Sequence, residues 1–141
     1  ANRVAPLAHV ARQGAADLFL DTFLCNGHTT VAESLWAGTP VLTLPGRSFA
    51  SRVGASLVRS TGMPELVVDS EEAYEAKAVA LYHQREVLQA LRARLAQTRL
   101  TAPAFDVTGQ ARQLEKAYRQ MRQRFAAGLP PAPFAVADLP D

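Results

Sequence analysis

Short apolar runs alternate along the chain with longer stretches in which apolar positions recur three and four apart, a pattern of strands separated by helices. Residues 3–5 read as the end of a strand, and residues 7–14 as a helix with Pro6 in its first turn. The run 17–21 has the size of a buried parallel strand and is closed by an acid at each end. A loop over 22–27 leads to a helix over 29–37, where Val31, Leu35 and Trp36 share a face before Gly38 stops it. Residues 40–45 form a second strand bounded by prolines. After the Pro45-Gly46 turn, residues 49–60 predict a helix ended by Gly62, with Ala50, Val53, Leu57 and Val58 on one side.

Leu66, Val67 and Val68 make the third predicted strand. Asp69, Ser70, Glu71 and Glu72 open a helix with acids in its first turn, and it continues from Ala73 to about Tyr82. Residues 86–98 form another, with Leu88, Leu91 and Leu95 in line. Residues 106–127 form the longest, carrying Ala111, Leu114, Tyr118, Met121 and Phe125 as one stripe. The proline-rich segment 128–141 is expected to be a flexible tail without regular structure. Residues 1–127 are therefore expected to fold as one α/β lobe, a Rossmann-like parallel sheet with flanking helices. Three short strands are few for such a sheet, so further strands are expected upstream and the chain is expected to be the carboxy-terminal part of something longer.

Composition narrows the function classes. With 48% hydrophobic and 20% charged residues in 141, the chain is neither disordered nor collagen-like. A formal charge of +2, from 15 basic and 13 acidic residues, does not predict nucleic-acid binding. Cys25 is the single cysteine, which excludes an internal disulfide and a cysteine-built metal site and suits a reducing, cytoplasmic setting. No apolar run approaches the about 18 residues of a membrane span.

In doubly wound folds ligands bind beyond the carboxyl ends of the strands. The strand ending at Asp21 runs there into Cys25-Asn26-Gly27-His28-Thr29-Thr30. Gly27 permits close approach, and His28, Thr29 and Thr30 fall on a first helical turn, where unpaired N–H groups and the helix dipole favour phosphate. By themselves these residues also fit an ordinary helix start with Thr caps. Glu33, one turn further on, is able to accept two hydrogen bonds from a ribose diol, or to stand as an exposed helical acid.

What makes the coincidence specific is the passage Glu33-Ser34-Leu35-Trp36-Ala37-Gly38-Thr39-Pro40-Val41. It resembles the sugar-nucleotide lobe of two-lobe GT-B glycosyltransferases. Together with Leu18-Phe19-Leu20-Asp21-Thr22, the 25–30 run, Pro45-Gly46, Ala50-Ser51-Arg52-Val53, Tyr74-Glu75 and the run 99–106, it is similar to the O-linked N-acetylglucosamine transferase family, nearly throughout except the tail. The resemblance implies a carboxy-terminal nucleotide-binding lobe, UDP-N-acetylglucosamine as donor substrate with no cofactor or metal, and inverting transfer to Ser or Thr hydroxyls of proteins. It further implies that Ala5 offers backbone hydrogen bonds to uracil, that His9 lies against the base, that Arg12 contacts the base end, that His28, Thr29 and Thr30 surround the diphosphate, and that Glu33 holds the ribose. No residue of this chain is assigned a certain catalytic role. An amino-terminal lobe, and upstream helical repeats of about 34 residues holding the protein acceptor, are the implied partners, with neither nucleic acid nor membrane.

Two departures bear on the donor. Several members of that family carry Asp where Glu33 stands; Glu also occurs in the related Spindly-type fucosyltransferases, which use GDP-fucose. Leu7 replaces a lysine of the animal-type pattern. His28 argues the other way, since the Spindly pattern has Thr or Gly there. A noncatalytic interaction module and an epimerase of the same two-lobe fold are the readings from other classes.

The remaining candidates have structural explanations. Arg12 is able to pair with Asp17, Trp36 and Phe49 are expected in the core, and Arg52 is expected to serve the lobe internally. Cys25 reads as a buried or loop thiol and His83 as solvated. Arg112, Lys116, Arg119, Arg122 and Arg124 give the last helix a basic face, more often a solvated surface or a docking face for another domain than a nucleic-acid platform.

Overall fold

Pro6 has no N–H to lose at a helix start, and α1 begins there, Pro6–Gln13. A computed structural model of the chain describes residues 4–136, so the predicted strand over 3–5 lies partly outside the described residues, and Val4 and Ala5 take no regular structure. The following elements are β1 (Phe19–Leu20), α2 (Thr29–Trp36), β2 (Val41–Leu42), α3 (Val53–Ser60), α4 (Glu71–His83), α5 (Arg85–Thr98) and α6 (Val107–Ala126), with short 3-10 turns at Pro64–Leu66 and Pro103–Phe105. The chain divides into two compact units, Ala1–Phe105 and Asp106–Asp141.

In the first unit β1 and β2 pair in parallel, Phe19 beside Val41 and Leu20 beside Leu42, with α2 as the crossover. Gly38 ends α2 at φ 89°, a conformation only glycine adopts freely, while Thr39 N–H bonds back to Ser34 O at 2.9 Å. Val31, Leu35, Val41, Val58, Leu81 and Leu95 meet in the core, each no more than 2% exposed. Burying a side chain of this kind stabilises by roughly 1.5–3 kcal/mol.

The third strand is not formed. Pro64 starts a 3-10 turn, and the N–H groups of Leu66 and Val67 are spent on Met63 O and Pro64 O. Only one parallel bridge remains, Thr43 beside Val67, made by Thr43 N–H to Leu66 O and Val68 N–H to Thr43 O. The helix expected over 49–60 begins at Val53. Hydroxyls of Ser48 and Ser51 bond to each other and to each other's N–H groups, closing a turn that competes with the helix. Phe49 sits in that turn, 74% exposed, so it is not a core residue. Trp36 is not one either: at the last turn of α2 it is 43% exposed, edge-on to Phe105 at 5.1 Å and under the Arg99 guanidinium.

α5 is clasped to the turn after α1 by Arg92, which donates to Gly14 O at 3.0 Å and to Ala16 O. Asp17 pairs with Arg85 at 3.1 Å. In the second unit, Asp106 Oδ1 caps α6 by accepting from Gly109 N–H at 2.9 Å. None of the α6 residues is buried. After Gly128 the proline-rich segment lacks helix or strand through residue 136, and Pro130 O accepts from Arg124 at 2.9 Å.

Candidate functional site

The two helices around β1 bring the predicted residues into two groups. His9 projects from α1 toward α2, and its Nε2 lies 3.1 Å from Glu33 Oε2. Arg12, one turn along α1, places Nη2 at 2.8 Å from His9 Nδ1. A guanidinium only donates, so Nδ1 accepts and Nε2 carries the proton it gives to Glu33. Arg12, His9 and Glu33 thus form one relay of donors ending on a carboxylate, with the His9 and Glu33 side chains 34% and 30% exposed. The alternative pairing of Arg12 with Asp17 is not formed: Arg12 meets His9 and Asp17 is engaged by Arg85.

Gln13 was not singled out in the sequence, yet it sits at the same junction. Its amide lies 3.5 Å from His9 Nε2, and it accepts from Ser34 Oγ at 3.4 Å. Its backbone carbonyl accepts from Thr39 Oγ1 at 2.9 Å. Ala5 is exposed at the start of α1, and its carbonyl already accepts from His9 N–H at 2.9 Å, leaving one lone pair for another donor.

The second group is the start of α2. His28 is the residue before the helix, not on its first turn, while Thr29 and Thr30 are its first two residues and both are exposed. No side chain caps this end and no acid lies in the first turn. The start of α4 differs: Ser70 Oγ accepts from Ala73 N–H at 3.1 Å, and Glu71 and Glu72 follow. The Glu72 carboxyl is held below its ordinary value by its own backbone N–H and by the Ser70 hydroxyl. One helix satisfies its positive end internally; α2 leaves it open for an anion. Beside it, His28 Nε2 lies 3.2 Å from Ala50 O, and the ring is edge-on to Phe49 at 6.0 Å.

The loop that delivers α2 is held by groups that spacing along the chain does not single out. Asp21, 3% exposed, accepts from Thr22 N–H at 2.9 Å, Gly27 N–H at 2.7 Å and Thr43 Oγ1 at 2.7 Å. Asn26, also 3% exposed, donates to Thr22 O at 2.7 Å and accepts from Gly54 N–H at 3.2 Å. Tyr74 donates to Asp21 O at 2.9 Å, and burial followed by the Asp21 charge pushes its phenol up to about 12. The available signal was an acid ending an apolar strand followed by Asn-Gly.

Cys25 is an exposed loop thiol. His83 is exposed, Arg52 donates from Nε to Ser48 O at 3.2 Å, and Glu115 pairs with Arg119 at 3.6 Å. Among the described residues no three His, Cys, Asp or Glu side chains gather as a metal site, and no helix is long and apolar enough to cross a membrane.

The sequence model of glycosyl transferase family 41 matches residues 1–114, which carry both groups. The chain belongs to glycosyl transferase family 41. It is 44% identical over 131 residues to SEC of Arabidopsis thaliana, a probable UDP-N-acetylglucosamine–peptide N-acetylglucosaminyltransferase, matching 92% of this chain and 13% of that protein. To the UDP-N-acetylglucosamine–peptide N-acetylglucosaminyltransferase of Caenorhabditis elegans it is 40% identical over 129 residues, covering 92% of this chain and 11% of the other. Among solved structures, a mutant O-GlcNAc transferase of Thermobaculum terrenum superposes with a TM-score of 0.77 at 35% identity, over 84% of this chain and 23% of its own. The family 41 chain therefore spans about an eighth of the length of these two curated relatives.

Proposed function

We propose that residues 1–127 serve as the donor-nucleotide lobe of a two-lobe protein O-linked N-acetylglucosamine transferase, working as part of a longer polypeptide and taking UDP-N-acetylglucosamine without a metal. The observation that carries this reading is the uncapped, acid-free start of α2 with Thr29 and Thr30 exposed on it. When the anomeric carbon is attacked by a Ser or Thr hydroxyl, negative charge grows on the leaving diphosphate. Backbone N–H groups, two hydroxyls and a helix dipole aimed at that charge stabilise it electrostatically, with no covalent step on the protein.

Glu33 holds the ribose in this reading. A carboxylate has about four lone-pair sites, so it accepts from His9 and still takes a ribose diol. His9, oriented by Arg12 and Glu33 together, flanks the base. The acceptor polypeptide and the remaining phosphate contacts come from the partner lobe, and the setting is cytoplasmic. The similarity to the Arabidopsis and Caenorhabditis proteins, whose names specify UDP-N-acetylglucosamine and peptide acceptors, supports the donor and the acceptor class. Glu33 favours a second reading, GDP-fucose, because the longer acid also occurs in the Spindly-type pattern.

The test has two parts. Calorimetric titration with UDP and with GDP is expected to favour UDP; GDP preference selects the second reading, and binding of neither by the folded protein overturns both. In the full-length enzyme, Glu33→Ala and His28→Ala are each expected to cut transfer about tenfold or more with little change in melting temperature. Wild-type turnover in both removes the site assignment.

A further inference from the structure

Asp21 is a buried acid that takes no part in the proposed chemistry. It is 3% exposed, and its side chain accepts from neutral donors: Thr22 N–H, Gly27 N–H and the Thr43 hydroxyl. A buried polar group costs free energy unless it is hydrogen-bonded, and an apolar side chain fills such a place at lower cost. One of these contacts, 2.7 Å to Gly27 N–H, falls on the residue immediately before His28.

The other partners converge on the same loop from separate elements. Thr43 follows β2, Tyr74 reaches from α4 to the Asp21 carbonyl at 2.9 Å, and α3 enters through Gly54 N–H on Asn26 Oδ1 at 3.2 Å. Space for this meeting exists only because residue 54 is glycine: a Cβ there would collide with Asp21 Oδ2 and stand 2.9 Å from Thr43 Oγ1. Asn26 N–H meanwhile bonds to Ala50 O at 2.9 Å, the carbonyl that His28 Nε2 also approaches. The loop between Asp21 and His28 is pinned near both ends by the Asp21 and Asn26 side chains, whose bonds run within the loop and out to Thr43 and Gly54.

We infer that Asp21 is a positioning residue for the nucleotide-binding turn: through Gly27 N–H it sets where His28, Thr29 and Thr30 stand, with Thr43 holding its carboxylate and Tyr74 its backbone carbonyl. The inference rests on the reading of that turn as the diphosphate site. A misplacement of about 1 Å is enough to cost up to a hundredfold in a positioned site.

Three variants and one control test it, with UDP affinity read by calorimetry well below every melting temperature, and donor KM and kcat read in the full-length enzyme. Asp21→Ala is expected to weaken UDP binding and raise donor KM on the order of tenfold, more than it lowers kcat. Asp21→Asn keeps an oxygen for Gly27 N–H and offers Thr43 an amide donor, so affinity is expected to return to within about fivefold of wild type, the scale of one hydrogen bond. Tyr74→Phe is expected to cost a similar factor, and it decides the matter if Asp21→Ala does not fold. Leu95→Ala, a core change in α5, is expected to lower the melting temperature at least as far and leave affinity and KM unchanged. Wild-type affinity in Tyr74→Phe and in a folded Asp21→Ala overturns the inference, as does a loss in Leu95→Ala that matches its melting temperature. If wild-type protein binds neither UDP nor GDP, the reading of the site falls first and takes this inference with it.

Discussion

α5 and α6 carry the same kind of apolar stripe and meet opposite fates. Leu88, Leu91 and Leu95 are 5%, 7% and 0% exposed, whereas Leu114, Tyr118, Met121 and Phe125 are 56%, 64%, 51% and 85% exposed. Each helix begins with acceptable chemistry and each is long enough to be seen in the sequence. The difference is that α5 belongs to a unit with a shared core, while α6 belongs to the second compact unit, where no helical residue is buried. Amphipathic spacing reports that a face is able to be buried; the arrangement of the other elements determines whether it is.

The largest expected effect sharpens this directly. Leu95→Ala should cost about 2–5 kcal/mol in urea unfolding, through lost burial and a cavity. Leu114→Ala, with the same chemistry, should stay within about 0.5 kcal/mol. Equal losses would break the comparison.

Helix caps give an intermediate test. Ser70→Ala removes the acceptor of Ala73 N–H and should cost about 1 kcal/mol of the first unit's global stability. Asp106→Ala removes the acceptor of Gly109 N–H at the start of α6 and should cost that helix about as much. Its effect is expected in faster amide exchange over 107–110, with the first unit's unfolding midpoint unchanged.

The smallest effect is electrostatic. Burial alone would raise the Glu65 carboxyl, but hydrogen bonds from Arg94 and from its own backbone, with the charges of Arg94 and Lys77, bring it below the ordinary 4.5. A depressed folded value means that the contribution is present above 4.5 and fades as pH falls through the lower folded value. The pair is part-exposed, so about 1 kcal/mol is an upper bound. Arg94→Ala should flatten that acid limb of the stability curve, and Arg119→Ala, at the exposed pair of α6, should leave it unaltered.

Much of the first unit was legible because its signals are local. Pro6 at the start of α1, Gly38 after α2, Ser70 before α4 and the Leu88, Leu91, Leu95 spacing each act within a few residues. The start of α2 was legible for the same reason, whereas the His9–Glu33 contact became visible only where the fold brings α1 beside α2. Segments where local signals conflict misled. Leu66, Val67 and Val68 have strand composition, but Pro64 diverts their N–H groups into a turn. Phe49 and Trp36 are large and apolar, yet they lie at a turn and at a helix end, where no neighbour covers them fully.

By itself the sequence determined the order of the helices, most of their boundaries and the family resemblance, because each depends on backbone conformation or on spacing within one element. Only the tertiary structure decided that Arg12 turns to His9 and not to Asp17, that Asp21, Asn26, Thr43 and Tyr74 gather under the loop before His28, and that one apolar stripe is buried while another is not. The His9–Glu33, Asp21–Thr43 and Asp21–Tyr74 contacts join residues 22 to 53 positions apart, and Arg85 reaches Asp17 across 68, so their closure reflects how all the elements pack at once.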